Sequence, residues 1–72
     1  MRDYENIMKR IGIKNVFLEN TFEGIAIKSE PGNKWTAKKS GGLEYPLAGS
    51  ADLVGDTLRE ANEITEAAYS NY

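Results

Sequence analysis

The side chains with the most chemistry to offer are five carboxylates late in the chain. Asp52, Asp56, Glu60, Glu63 and Glu66 recur at spacings of three and four, with Arg59 among them. On a helix these spacings put charges on a common face, where Arg59 can pair with Asp56 and Glu63. The face keeps a net charge of −4. It can dock on a basic partner as a phosphate mimic, or simply keep a surface helix solvated. Chelation of a divalent ion by Asp56 and Glu60 is the weakest use, because hard cations need more converging oxygens than one helix supplies.

A second group is basic. Lys28, Lys34, Lys38 and Lys39 cluster around Trp35. Lysines can hold phosphates while an aromatic stacks on bases, which is the chemistry of nucleic-acid binding. Against that use, Trp35 alternates with Ala37 on one strand face and is the largest apolar side chain available to a small core. Lysines on strands also oppose edge-to-edge association, and a pI near 5.0 does not suit a dedicated nucleic-acid binder. A third group is aromatic. Phe17 sits between Val16 and Leu18, Phe22 falls in a loop, Tyr45 precedes Pro46, and Tyr69 and Tyr72 come late. These rings either form an interface or close off the ends of the core.

The chain of 72 residues holds no His and no Cys. It therefore lacks an imidazole for acid–base work, a thiol nucleophile, a disulfide and the usual zinc ligands. A Ser or Asp nucleophile would have only Lys or a carboxylate as its base. So short a chain also struggles to enclose a substrate-sized pocket. A non-enzyme without cofactor or metal is expected. Ser40-Gly41-Gly42 matches no phosphate-binding loop, and Gly49-Ser50 no nucleophile elbow. Apolar runs such as Val16–Leu18 and Ile25–Ile27 are too short for a leader or a membrane span, so a cytoplasmic protein is expected. With disulfide and zinc excluded, self-association or partner binding is the remaining external stabiliser.

These residues need elements to position them. Tyr4, Ile7, Met8 and Ile11 lie on one helical face, so the spacing predicts a helix over 3–11, with Asp3 in its first turn and Gly12 as its stop. Residues 13–19, 24–29 and 34–39 read as strands joined by a Pro31-Gly32 turn and a Gly41-Gly42 turn, with a short fourth strand at 43–45 that Pro46 confines to an edge. From Ser50, a plausible N-cap, to about Tyr69 the pattern is one amphipathic helix. The order α-β-β-β-(β)-α predicts a single α+β domain over 1–72, with both helices on one face of a three- to four-stranded antiparallel sheet. The other face, with Ala26, Lys28, Thr36 and Lys38, should meet solvent or a partner.

Charge is divided along the chain. Residues 1–40 hold eight Lys and Arg against five Asp and Glu, whereas residues 41–72 hold one against six. The net charge of −2 is thus the remainder between a basic and an acidic segment. Small size, the absence of cysteine and charge polarity together favour contact over chemistry. In size and character, though in no motif, the chain resembles accessory proteins of phages and mobile elements, including anti-CRISPR inhibitors of nucleic-acid machinery. The charge pattern itself leads to the expectation of a protein-binding module whose acidic helix face docks on a basic groove. A small nucleic-acid-binding or regulatory module using the Trp35 hairpin is the alternative.

Overall fold

The computed structural model describes residues 4–72. Helix α1 spans Tyr4–Arg10, strands β1 to β4 span Val16–Asn20, Ile25–Glu30, Lys34–Lys39 and Glu44–Leu47, and helices α2 and α3 span Asp52–Glu60 and Glu66–Ser70. The strands form one antiparallel meander in the order β1-β2-β3-β4. This is the α+β arrangement that the element order predicts, and the fourth strand is present with Pro46 inside it. Asp3 lies outside the described residues.

Strand alternation separates the two sheet faces. Register places Val16, Leu18, Ile25, Ile27, Trp35, Ala37, Tyr45 and Leu47 on one face. Both α1 and α2 pack there. Val54 of α2 meets Ile25, Ile27, Trp35 and Ala37. Ile7 of α1 meets Val16, Leu18 and Ala61. Ile11 and Leu58 touch both groups and join them into one core. Ile7 alone on α1 is fully buried, while Tyr4 and Met8 flank the contact and stay partly exposed.

The predicted helix over 50–69 is corrected. It begins at Asp52 with Ala51 in the N-cap position, and Ser50 makes no cap. It then stops at Ala61, whose φ of 52° and ψ of 42° are left-handed. Residues 62–64 cross the outer edge of β1: Glu19 N–H donates to the Asn62 carbonyl at 2.9 Å, and Ile64 N–H donates to the Phe17 carbonyl at 2.9 Å. The chain restarts as α3, where the Thr65 hydroxyl accepts from Ala68 N–H at 3.1 Å.

This crossing carries α3 to the opposite face of the sheet. Tyr69 lies there on Phe17, with ring centroids 5.4 Å apart, beneath the ammonium groups of Lys28 at 5.7 Å and Lys38 at 6.0 Å. Ala26, expected on an open face, is therefore wholly buried. Both sheet edges are protected. Residues 62–64 cover β1, and Pro46 removes a donor from β4.

Candidate functional site

The six residues of the predicted acidic face do not share one face. Asp52, Asp56, Arg59 and Glu60 are on α2, Glu63 is on the crossing segment, and Glu66 opens α3 on the far side of the sheet. Two of the carboxylates are committed to holding the fold. Glu60 accepts from Thr21 N–H at 3.1 Å and from the Thr21 hydroxyl, tying the end of α2 to the β1–β2 turn. Glu63 takes a two-pronged contact from the Arg10 guanidinium at 2.5 and 2.7 Å, which joins α1 to the crossing segment. Arg59 reaches Asp56 at 3.5 Å, with both side chains largely in solvent. Asp52, Asp56 and Glu66 are exposed.

The Arg10 hydrogen bonds, aided by its charge, hold the Glu63 carboxyl below its ordinary value of 4.5, against a smaller opposing effect of burial. A lowered folded-state value means that the contribution is present above the unfolded pKa and is lost as pH falls through the folded one. Solvent reaches both partners, so its size is modest, about 0.5–1 kcal/mol. Acid melts of wild type and Glu63→Gln measure it. Wild type should lose more stability between neutral pH and about pH 3. Superimposable acid profiles would show that the contact contributes nothing.

The basic group is also divided. Trp35 is buried on the α1/α2 face, whereas register turns Lys28, Lys34 and Lys38 to the other. Lys28 pairs with Glu44 at 3.2 Å and lies 3.9 Å from Glu30. Lys38 donates to the Ser70 carbonyl at 2.6 Å. Lys34 and Lys39 are exposed. The structure thus brings neither Trp35 nor a free pair of strand lysines to one surface.

It brings together something else. Strands β1 and β3 run in the same direction, so the β1–β2 turn over 21–24 and the β3–β4 turn over 40–43 share one end of the sheet. Phe22 is 92% exposed on the first turn and Leu43 is 89% exposed on the second. Two strand spacings, about 10 Å, separate the two tips. Glu23 and Glu44 are exposed beside them, and Glu60 reaches this end through Thr21. Phe22 stands among the aromatics singled out from sequence. Leu43 does not, because an isolated leucine after two glycines carries no periodic signal.

The Phe22 tip is held from below. The buried Asn20 amide donates to the Thr57 hydroxyl at 3.1 Å, and its carbonyl accepts from Glu23 N–H at 2.9 Å. The Thr57 hydroxyl in turn donates to the Leu53 carbonyl at 2.7 Å. Gly24 closes the turn at φ 68°, where a Cβ would be strained. Asn20 thus couples α2 to the turn and fixes how Phe22 is presented. The Leu43 tip rests on Gly41, at φ 72°, whose N–H donates to the Tyr72 carbonyl at 2.6 Å.

Among the described residues there is no pocket of ligand size, no cluster of three His, Cys, Asp or Glu able to hold a metal, and no helix long and apolar enough to cross a membrane. No family model, curated protein or solved structure matches the chain.

Proposed function

We propose that this is a non-catalytic protein-binding module whose contact surface is the sheet end bearing Phe22 and Leu43. The carrying observation is the near-complete exposure of these two large apolar side chains on neighbouring turns. Single exposed hydrophobic residues are ordinary, but a pair on one end supplies anchors for a partner's apolar recess. Glu23 borders the anchors with an exposed carboxylate, Glu44 there is shared with Lys28, and Lys39 is exposed at the same end. A basic partner surface is therefore favoured by Glu23 and by the acidic face of α2. A phage or mobile-element inhibitor of nucleic-acid machinery, anti-CRISPR-like, is the specific form this reading takes when the basic surface is a nucleic-acid groove. The compartment proposed is the cytoplasm.

Affinity capture with three forms of the full chain tests the proposal. Wild type should retain a partner. Phe22→Ser/Leu43→Ser should lose at least tenfold of it, as expected when interface anchors are truncated. Glu23→Lys should weaken capture and flatten its dependence on salt. Glu23 is the appropriate site for charge reversal, because it is exposed beside Phe22 whereas Glu60 and Glu63 also support the fold. A double-serine variant that melts like wild type and captures the same protein in the same yield would rule out this contact surface.

A further inference from the structure

We propose that the segment after α2 exchanges between two copies of this chain, with α2 and α3 fusing through residues 61–65 into one straight helix. The first observation is the conflict at Ala61. Its backbone is left-handed, with φ 52°, yet alanine is the residue most favourable to a right-handed helix and has no polar side chain to support a left-handed turn. The second is that the helical pattern does not stop there. Leu53, Val54, Thr57, Leu58, Ala61, Ile64, Thr65 and Ala68 continue on one arc. Local preference therefore favours a continuous helix, and the break is held by contacts from elsewhere in the fold.

Ala61 itself is packed against Ile7, Val16 and Leu18, and beyond it the contacts are mostly polar. The crossing segment rests on two backbone hydrogen bonds to β1, the bond from the Asn62 amide to Glu19 at 3.1 Å, and the Arg10–Glu63 pair. Helix α3 has five residues, too few to persist alone. Tyr69 is its one buried side chain. The remaining anchors are the bond from Lys38 to the Ser70 carbonyl, that from Gly41 to the Tyr72 carbonyl, and the Tyr72 hydroxyl donating to Glu19 at 2.9 Å.

Geometry selects a second copy as the new seat. Helix α2 ends at Glu60, beside the Thr21 turn at one end of the sheet. A straight continuation advances about 1.5 Å per residue and carries Tyr69 roughly 13 Å beyond Glu60. The ring then stands past its own sheet and can be buried only against another molecule. A second copy offers the same Phe17, Lys28 and Lys38 seat for Tyr69, the Lys38 ammonium and Gly41 N–H as donors to the Ser70 and Tyr72 carbonyls, the Glu19 carboxylate as acceptor for the Tyr72 hydroxyl, and a two-fold exchange that closes.

Light scattering across a wide concentration range, together with helical content from circular dichroism, reads the equilibrium. Wild type should dimerise with rising concentration. Ala61→Gly should weaken the dimer by at least roughly thirtyfold, the factor from two hinges each losing helix preference, to which relief of the left-handed turn in the closed form adds. Asn62→Ala/Thr65→Ala should strengthen it and raise helicity, since the double change removes the crossing-segment amide and the cap of α3. Mixed samples of isotope-labelled and unlabelled chains should show the Phe17 ring of one copy against the Tyr69 ring of the other. Wild type that is monomeric throughout overturns the proposal, as does a dimer whose Phe17–Tyr69 contact stays within each copy. A monomer that becomes more helical without pairing overturns it too. If the double variant does not fold, equal dimer constants for wild type and Ala61→Gly overturn it.

Discussion

Trp35→Ala should remove most of the stability of this domain. The indole is 7% exposed and packs with Ile25, Ile27, Ala37 and Val54, and truncating a core aromatic costs about 3–5 kcal/mol. A domain of this length holds only about 4–11 kcal/mol in total. Helix α2 loses its main seat as well, since Val54 packs into this same group. Gly49 lies edge-on to the ring, where a Cβ would come within 3.3 Å of Nε1, so the loop before α2 is shaped by the indole as well. Urea denaturation followed by circular dichroism measures the effect. A loss below about 1 kcal/mol would mean that the ring is not a core element. By contrast, Lys34→Ala and Lys39→Ala, at exposed positions on the same strand, should leave stability within about 0.5 kcal/mol.

Tyr69→Ala is the second large effect, about 3 kcal/mol. Its ring is the one buried side chain of α3 and covers Phe17 from the face opposite α2. Loss of the ring frees the segment over 65–72 and opens the sheet face above Phe17 and Ala26. Proteolysis of that segment, with the melting midpoint as a second readout, measures the release. Unchanged protection would show that polar contacts alone hold α3. Tyr69→Phe behaves differently. The hydroxyl lies near the Glu44 carboxylate but makes no hydrogen bond of good geometry to it, so deleting it should cost little. Burial first, and then the Glu44 and Glu30 carboxylates, push the Tyr69 phenol up to about 12 from an ordinary 10.0. A raised folded-state value means that the contribution is complete below pH 10 and is lost as pH rises through about 12. Tyr69→Phe should therefore reduce the alkaline destabilisation of wild type. The part that remains belongs to Tyr72, likewise raised to about 12 by burial and by Glu19.

Most of the scaffold is legible in the sequence because its signals are local. Pro31-Gly32 marks a turn, alternation at Ile25 and Ile27 marks a strand face, and Trp35 announces itself as core by size. The meander, the position of Pro46 on an edge and the packing of α1 and α2 on one face follow from these. The course of residues 61–65 does not. Helical periodicity records which residues are apolar, and a helix that breaks, crosses an edge and restarts needs apolar residues at nearly the same positions. No glycine or proline marks the break; alanine occupies the left-handed position and conceals it. The errors that follow share this cause. Once the chain crosses, the acidic residues part company, Ala26 is buried instead of exposed, and Phe17 acquires a cover. The site is less legible still. Leu43 matters through the end of the sheet it shares with Phe22, which depends on strand direction and not on spacing. Asn20 resembles an ordinary strand-end polar residue until Thr57, distant in sequence, is placed beside it.

Covering β1 with residues 62–64 also has a consequence for how the chain acquires its shape. Every strand pairing joins neighbours through a short turn, so the hairpins close with little loss of chain entropy and form early. The edge cover joins Glu19 to Asn62, 43 positions apart, and must wait for a much longer loop to close. In folding, the sheet therefore exists for a time with β1 unpaired on its outer side, open to pairing with other chains.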